Sequence, residues 1–486
     1  MTSKEKQIKN SLIYLLPVFI GNLIPLATLS VFTRILTKED YGVLGLAQVY
    51  AVFVSGLANF GLTVGYERNF FQYIELKKAS DLLYSTLAFV ISGFLIVVVL
   101  TYLFKSHLSK WIIGSSVHSN ILFWTLCSTG IMGLKNYYLI YFKNTENAKS
   151  FAWYTIDESI LGVVMSLFLV VYLRTGIIGI VWGQLFASLT IFLILGFNFL
   201  KIYPVRFNWG ILKESLKLSF PLTPKIFLGV IGNQFDKYMI GLLATVGGVG
   251  IYSIGQKVAG GVFTFMTAIQ NVYSPQVYKR MFNLGQKGGE SVGRYMTPFA
   301  YMSIAVALLI SLFSEEVISL LTPKSYHGAI DIVIVLSMFY GSLFFGKQPQ
   351  LIYAKKTYIS SLLTVVSIVL NVLINIPFIM KWGAIGAAWG TFLAGLISGV
   401  IAFVVSQHYY KIEWEYKKMG FIFLIFFVSS LSIILLRDFA VAYLMRLVVK
   451  GIALACYLYL GVRLEIISME NYHMIKKMVP INSRTS

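Results

Sequence analysis

The chain has 486 residues, 57% of them hydrophobic and 12% charged, with a mean hydropathy of +0.76. That is too little polar surface to cover a soluble globule of this size, which excludes a soluble enzyme, a disulfide-stapled secreted domain and a disordered hub. The net charge of +20, from 40 Lys and Arg against 20 Asp and Glu, would suggest nucleic acid in a soluble chain. In a membrane chain the same charge supplies basic cytoplasmic loops, and no nucleic-acid partner is expected.

Apolar stretches of about 20 residues predict an all-α polytopic membrane protein with spans at 10–33, 43–66, 82–104, 119–142, 155–173, 177–199, 216–244, 250–275, 295–313, 328–350, 358–380, 383–406, 417–436 and 440–462, fourteen transmembrane helices in all. The first follows Lys4, Lys6 and Lys9, is longer than a signal-peptide core and lacks a small-residue cleavage pattern, so it is expected to be retained. An even number of spans puts both termini on one side. Loops on that side, taken with the basic residues at the adjoining span ends (Lys217, Lys347, Lys417 and Lys418), hold 26 Lys and Arg, loops on the other side hold 8, and 6 lie deeper inside spans, which puts both termini in the cytoplasm. The longest predicted loop, 276–294, leaves no room for a soluble catalytic domain. Cys127 and Cys456 fall in apolar runs and are expected to be small core residues. The histidines stand in loops or tails without metal-ligand spacing, so no metal is expected.

The two halves repeat. Gly42, Gln48 and Ala51 match Gly250, Gln256 and Ala259 at an offset of 208, LIYFKNT at 139–145 matches LIYAKKT at 351–357, and GIIGIVWGQLFASL at 176–189 matches GAIGAAWGTFLAGL at 383–396. Ordered matches with a slowly drifting offset predict two homologous six-helix lobes around a central cavity, plus a final helix pair. The expected divisions are 1–199 for the first lobe, 200–409 for the second, and 410–486 for the last two spans and a cytoplasmic tail.

The polar residues inside spans form stripes. In the span at 216–244, Lys225, Gly229, Gly232, Asn233 and Asp236 share one helical face. Each charge at mid-depth costs about 2.5–3.5 kcal/mol on insertion scales, so this face turns away from lipid. Pro221 and Pro224 remove backbone donors near its start and predict a kink. Gln48, Ser55 and Asn59 share a face in the second span. Gln256, Gly260, Thr264, Thr267 and Asn271 do so in the eighth, with Lys257 one position away and Lys135 in the fourth span.

Lys135, Lys225 and Lys257 are candidate cavity cations for an anionic head group, with snorkelling toward an interface as the alternative. Gln48, Asn59, Asn233, Gln256 and Asn271 are candidate cavity amides, with helix packing as the alternative. Asp236, beside Lys237, fits either a structural ion pair or a carboxylate coupled to a proton or sodium gradient. Glu67–Arg68 and Asp157–Glu158 are expected at cytoplasmic helix ends as gate pairs or caps. Arg446 and Lys450 are expected to meet lipid phosphates or to snorkel. No phosphate-binding glycine loop or nucleophile motif is present, so neither a cofactor nor a catalytic residue is expected.

The stretch TRILTKEDYGVLGLA, with Arg34, Leu36, Tyr41 and Gly42, resembles the RxLxxxxYG signature of bacterial polysaccharide transporters. DKYMIGLLATVGGVGIYSIGQK at 236–257 and GAIGAAWGT at 383–391 are similar to the corresponding parts of their second lobe. The resemblance covers essentially the whole chain. It implies the superfamily that also holds lipid II flippases and multidrug antiporters, and within it the flippases of O-antigen, capsule and exopolysaccharide assembly. The implied substrate is a polyprenyl-pyrophosphate-linked oligosaccharide moved outward across the bacterial plasma membrane, with membrane lipids and polysaccharide assembly proteins as partners. Two alternatives stay open: a multidrug antiporter of the same superfamily, and a membrane polymerase or ligase of the same pathway.

Overall fold

The computed structural model describes residues 16–17, 20–21, 23–72, 76–346 and 349–468. The side chains of some helical positions, Lys225 and Asn233 among them, lie outside the described residues. Every extended regular element among the described residues is a helix. The chain packs as two compact units, one of residues 1–253 with 321–323 and one of residues 254–320 with 324–486.

In the first unit a short helix α1 (Leu29–Ile35) leads into α2 (Lys38–Asn59). The start of α2 is set locally. Thr37 and Asp40 form a capping box, in which the Asp40 amide donates to Thr37 Oγ1 at 3.1 Å and the Thr37 amide donates to Asp40 Oδ2 at 2.9 Å. The span expected at 43–66 is broken at Phe60 and Gly61, both left-handed with φ of 46° and 66°. The Thr223 hydroxyl lies 3.1 Å from the Phe60 carbonyl and 3.2 Å from the Ser219 carbonyl, and bridges to the break. After it come α3 (Leu62–Phe70), α4 (Leu76–Ile112), α5 (Ser119–Asn144), α6 (Ala148–Leu167), α7 (Ile178–Ile202), α8 (Trp209–Ser219) and α9 (Thr223–Leu243). The 37 residues of α4 span roughly 55 Å, well beyond a ~30 Å hydrocarbon layer, so the helix continues outside it.

The first unit's core is aromatic. Tyr66, Phe70, Tyr137, Tyr138, Tyr141 and Phe199 are buried together, with edge-on ring contacts such as Tyr66–Tyr137 at 5.4 Å and Tyr138–Phe199 at 4.9 Å. Such pairs add about 0.5–1.5 kcal/mol each beyond area burial. This matters where lipid competes equally well for aliphatic surface.

Helix α10 (Val246–Leu284) begins in the first unit and continues into the second. The second unit goes on through α11 (Gly289–Leu312), α12 (Ser314–Leu321, whose last residue groups with the first unit), α13 (Ala329–Ser342), α14 (Pro349–Tyr353), α15 (Thr357–Tyr409), α16 (Tyr416–Asp438) and α17 (Tyr443–Arg463). At 53 residues α15 would reach about 80 Å, too long for one crossing. Gly383, with φ 61° and ψ −135°, breaks it where the sequence separates spans 358–380 and 383–406.

The final helix pair belongs to the second unit. Tyr301 and Tyr457 stack at 4.6 Å and exchange hydroxyl-to-carbonyl bonds of 3.1 and 2.7 Å, and the Ser311 and Ser430 hydroxyls pair at 2.8 Å. Eight helices among the described residues are long and apolar enough to cross a membrane. The chain is an all-α, multi-pass membrane protein. Cys127 is half-buried and Cys456 exposed, so the second is not the core residue expected of it.

Candidate functional site

The polar residues expected to line a cavity separate into groups that are already partnered and groups that are open. On α2, Asn59 is committed: its amide donates to Thr63 Oγ1 at 2.7 Å, and its carbonyl oxygen accepts the Tyr137 hydroxyl of α5. Gln48 is half-buried on the same helix.

Lys135 is 3% exposed, and its Nζ is paired with Glu158 of α6, whose other oxygen accepts the Ser188 hydroxyl of α7 at 2.8 Å. Three helices are thus joined through one largely enclosed pair. Glu158 is not at a helix end, as the sequence suggests, but near the middle of α6, because that helix starts at Ala148. Glu67, by contrast, is exposed and bonded to Lys143 at 2.8 Å, in keeping with a pair between helix ends.

Asp236 and Lys237 are both buried. Asp236 accepts the hydroxyl of wholly buried Tyr252 at 2.8 Å, while Lys237 lies 3.4 Å from Gln234 Oε1, so neighbours in sequence turn to different surroundings. Tyr252 escapes a reading of the sequence: an aromatic residue in an apolar helix carries no sign that its hydroxyl meets a carboxylate. Lys225 and Asn233 lie on α9 with side chains outside the described residues.

Helix α10 presents the open groups. Gln256 is half-buried, Lys257 and Asn271 are exposed, and none of the three side chains has a hydrogen bond or ion pair among the described residues. A lysine without a side-chain partner among the described residues, on a helix whose neighbouring positions are amide and hydroxyl, can bind an anion without first breaking a protein contact.

Arg446 and Lys450 differ from expectation. Instead of meeting lipid phosphates, Arg446 bonds both oxygens of Glu315 at 2.6 and 3.2 Å, and fully buried Lys450 bonds Glu316 at 2.6 Å. Arg437 pairs with Asp331. The cluster fastens α16 and α17 to α12 and α13, and its partners lie more than 100 residues apart in sequence.

Burial raises the Glu315 pKa, but the Arg446 hydrogen bond and the charges of Lys450, Arg446 and Arg437 outweigh it and hold the carboxyl below its ordinary value of 4.5. A depressed carboxyl stabilises the fold above that value, and the contribution is lost as pH falls through the lowered pKa. The thermal midpoint in detergent is therefore expected to drop below pH 4.5. Glu315→Gln should have a lower midpoint at neutral pH and a flatter acid limb. An identical acid limb in the variant would remove Glu315 as its cause.

These features define a multi-pass membrane protein with buried polar networks between its helices. The family described as Polysaccharide biosynthesis protein matches residues 8–277, more than half of the chain, and the chain belongs to that family. It is 25% identical over 235 residues to the probable low-salt glycan biosynthesis flippase Agl15 of Haloferax volcanii, a match covering 44% of this chain and 49% of the relative. The chain thus spans about half the length of the curated relative it matches.

Among solved structures it is similar to the lipid II flippase MurJ in an inward closed conformation, with a TM-score of 0.68, 15% identity, and coverage of 94% of this chain and 100% of that one. It is also similar to an inward-facing multidrug resistance MATE family transporter of the MOP superfamily, with a TM-score of 0.58, 16% identity, and coverage of 82% and 97%. At these identities the likeness establishes the shared fold.

Proposed function

We propose that this protein is a flippase that carries a polyprenyl-pyrophosphate-linked oligosaccharide from the cytoplasmic to the outer leaflet of the plasma membrane by alternating access, for assembly of a surface glycan. The observation that carries the reading is Lys257, a lysine beside the polar face of α10 whose side chain has no partner among the described residues, in a member of the polysaccharide biosynthesis family. Transfer of a pyrophosphate and several sugars through hydrocarbon is prohibitive unless protein groups replace their water. A free ammonium serves the pyrophosphate. Amides such as Gln256 and Asn271 serve the sugars.

In this reading Lys257 and Lys225 contact the head group, while Lys135 stays in its pair with Glu158. The chain has fourteen spans, with the alternating lobes at 1–199 and 200–409 and both termini cytoplasmic. Buried Asp236 is the group that would couple a proton or sodium gradient. With the inside negative, each net negative charge moved outward gains about 2.3 kcal/mol per 100 mV, so the membrane potential assists export.

Depletion is expected to trap lipid-linked oligosaccharide on the cytoplasmic face and to abolish the surface polymer. Lys257→Gln, expressed at the wild-type level, should reduce export about tenfold or more, the effect of losing one charge-assisted contact of ~1.5–3 kcal/mol. Intermediates held on the outer face instead would point to polymerisation or ligation. The likeness to a multidrug transporter supports a second reading, drug export. Loss of drug resistance on depletion, with normal surface glycan, would establish it in place of the first.

A further inference from the structure

A cavity of about 570 Å³ lies inside the second unit, between α10, the end of α13, α14 and the two halves of α15. Its size is that of a small-molecule site, which runs from roughly 300 to 1,000 Å³. Gln270, Tyr273 and Tyr278 of α10 line one wall, spaced so that they share a helical face. Thr364, Ser367 and Ser398 of α15 line another. No charged side chain among the described residues lines it.

The lining selects a ligand class. An anionic pyrophosphate would find no cation among the described lining residues. An isoprenoid or acyl tail would strip water from hydroxyls and an amide without replacing its hydrogen bonds, a costly exchange. A sugar carries both a hydrogen-bonding edge and an apolar ring face. The Gln270 amide and the Tyr273 and Tyr278 hydroxyls have no protein hydrogen bond among the described residues. Thr364 donates to the Ser360 carbonyl at 2.9 Å, Ser367 and Ser398 pair at 3.2 Å, and Ser398 also approaches the Gly395 carbonyl at 3.3 Å. Their lone pairs stay available as acceptors. Tyr273 is itself fixed by ring contacts with Phe299 and Phe344 at 5.4 and 5.7 Å, so its ring is a rigid wall.

We propose that this cavity is a second binding site, separate from the Lys257 face, that takes an uncharged sugar unit. As part of glycan transport it rests on the flippase reading, in which the sugars of a lipid-linked substrate are carried past this cavity. As a binding site it stands on its own chemistry.

Saturation-transfer NMR on the full-length protein in nanodiscs, with lactose, chitobiose and maltotriose as probes, tests it. At least one sugar should give transfer. Ser398→Phe, which fills the cavity, should reduce that transfer at least fivefold, and Thr364→Val, which keeps the volume, should reduce it measurably. Lys110→Gln, at an exposed position of α4 in the first unit, should leave it unchanged, and thermal midpoints near the wild-type value establish that the variants are folded. Absence of transfer from all three sugars, or transfer that survives Ser398→Phe in folded protein, would overturn the proposal. Displacement of the sugars by octanol but not by one another would overturn it in favour of an apolar-tail site. Sugar binding that behaves as expected, in a protein whose depletion leaves lipid-linked intermediates normal, would keep the site and remove the flippase reading.

Discussion

Gly42→Ala is expected to destabilise the protein by about 3 kcal/mol or more, at or above the upper end for overpacked positions. A Cβ at Gly42 would sit 1.8 Å from the Val246 carbonyl oxygen, and one at Gly250 would sit 1.9 Å from the Lys38 carbonyl oxygen and 3.0 Å from the Gly42 amide nitrogen. Both obstacles are backbone, and both belong to helix starts. The start of α2 is held by the Thr37–Asp40 capping box, so it cannot swing aside as a flexible side chain would. Gly250→Ala should cost a similar amount.

The double variant should cost much less than the sum, because the first methyl already parts the two helix starts that the second would part. Gly260 is the control, since a methyl there would meet no described atom within 4 Å. Gly260→Ala should be neutral or stabilising by up to ~1 kcal/mol through helix propensity. Thermal unfolding in detergent reads all four. Equal midpoints for Gly42→Ala and Gly260→Ala would show that the close approach is not made.

Gly42 and Gly250 also show where the sequence is legible and where it stops. The repeat places them at equivalent positions, 208 residues apart, and so marks them as a pair. Nothing in the spacing says that they touch. Long apolar runs disclose the helical, membrane-spanning class because the bilayer permits little else for a buried backbone. The break at Phe60 is not legible, since a left-handed phenylalanine goes with tertiary contacts, here its ring against Phe89 and Phe220 and the Thr223 hydroxyl near its carbonyl. The same limit governs the charged groups. Lys135, Arg446 and Lys450 are visible as costly residues in apolar helices, but the carboxylates that satisfy them stand on other helices, and which carboxylate it is follows only from packing. The sugar-sized cavity is invisible for a related reason: its polar lining comes from separate helices, none with a stripe that differs from ordinary packing hydroxyls.

The pair of Lys135 and Glu158 yields the other large effect. Lys135→Met should lose up to about 3–5 kcal/mol, because it leaves the Glu158 carboxylate, only 14% exposed, without its cation. Ser188 still donates to that carboxylate at 2.8 Å, but a hydroxyl cannot neutralise it. Glu158→Met should cost a comparable amount by stranding the lysine, which is 3% exposed. Removing both charges together, in Lys135→Met with Glu158→Met, should recover most of the loss, since apolar residues of similar volume commonly replace a buried ion pair at little cost.

Transport then separates structure from substrate contact. If the pair only joins α5, α6 and α7, the double variant regains export along with its thermal midpoint. If Lys135 meets the pyrophosphate during transport, the double variant regains its midpoint and stays inactive. The bonds around Glu158 favour the first outcome: the Lys135 ammonium is sequestered and committed within one unit, whereas Lys257 is exposed and uncommitted among the described residues. A stable but inactive double variant would move Lys135 from the scaffold to the transport path.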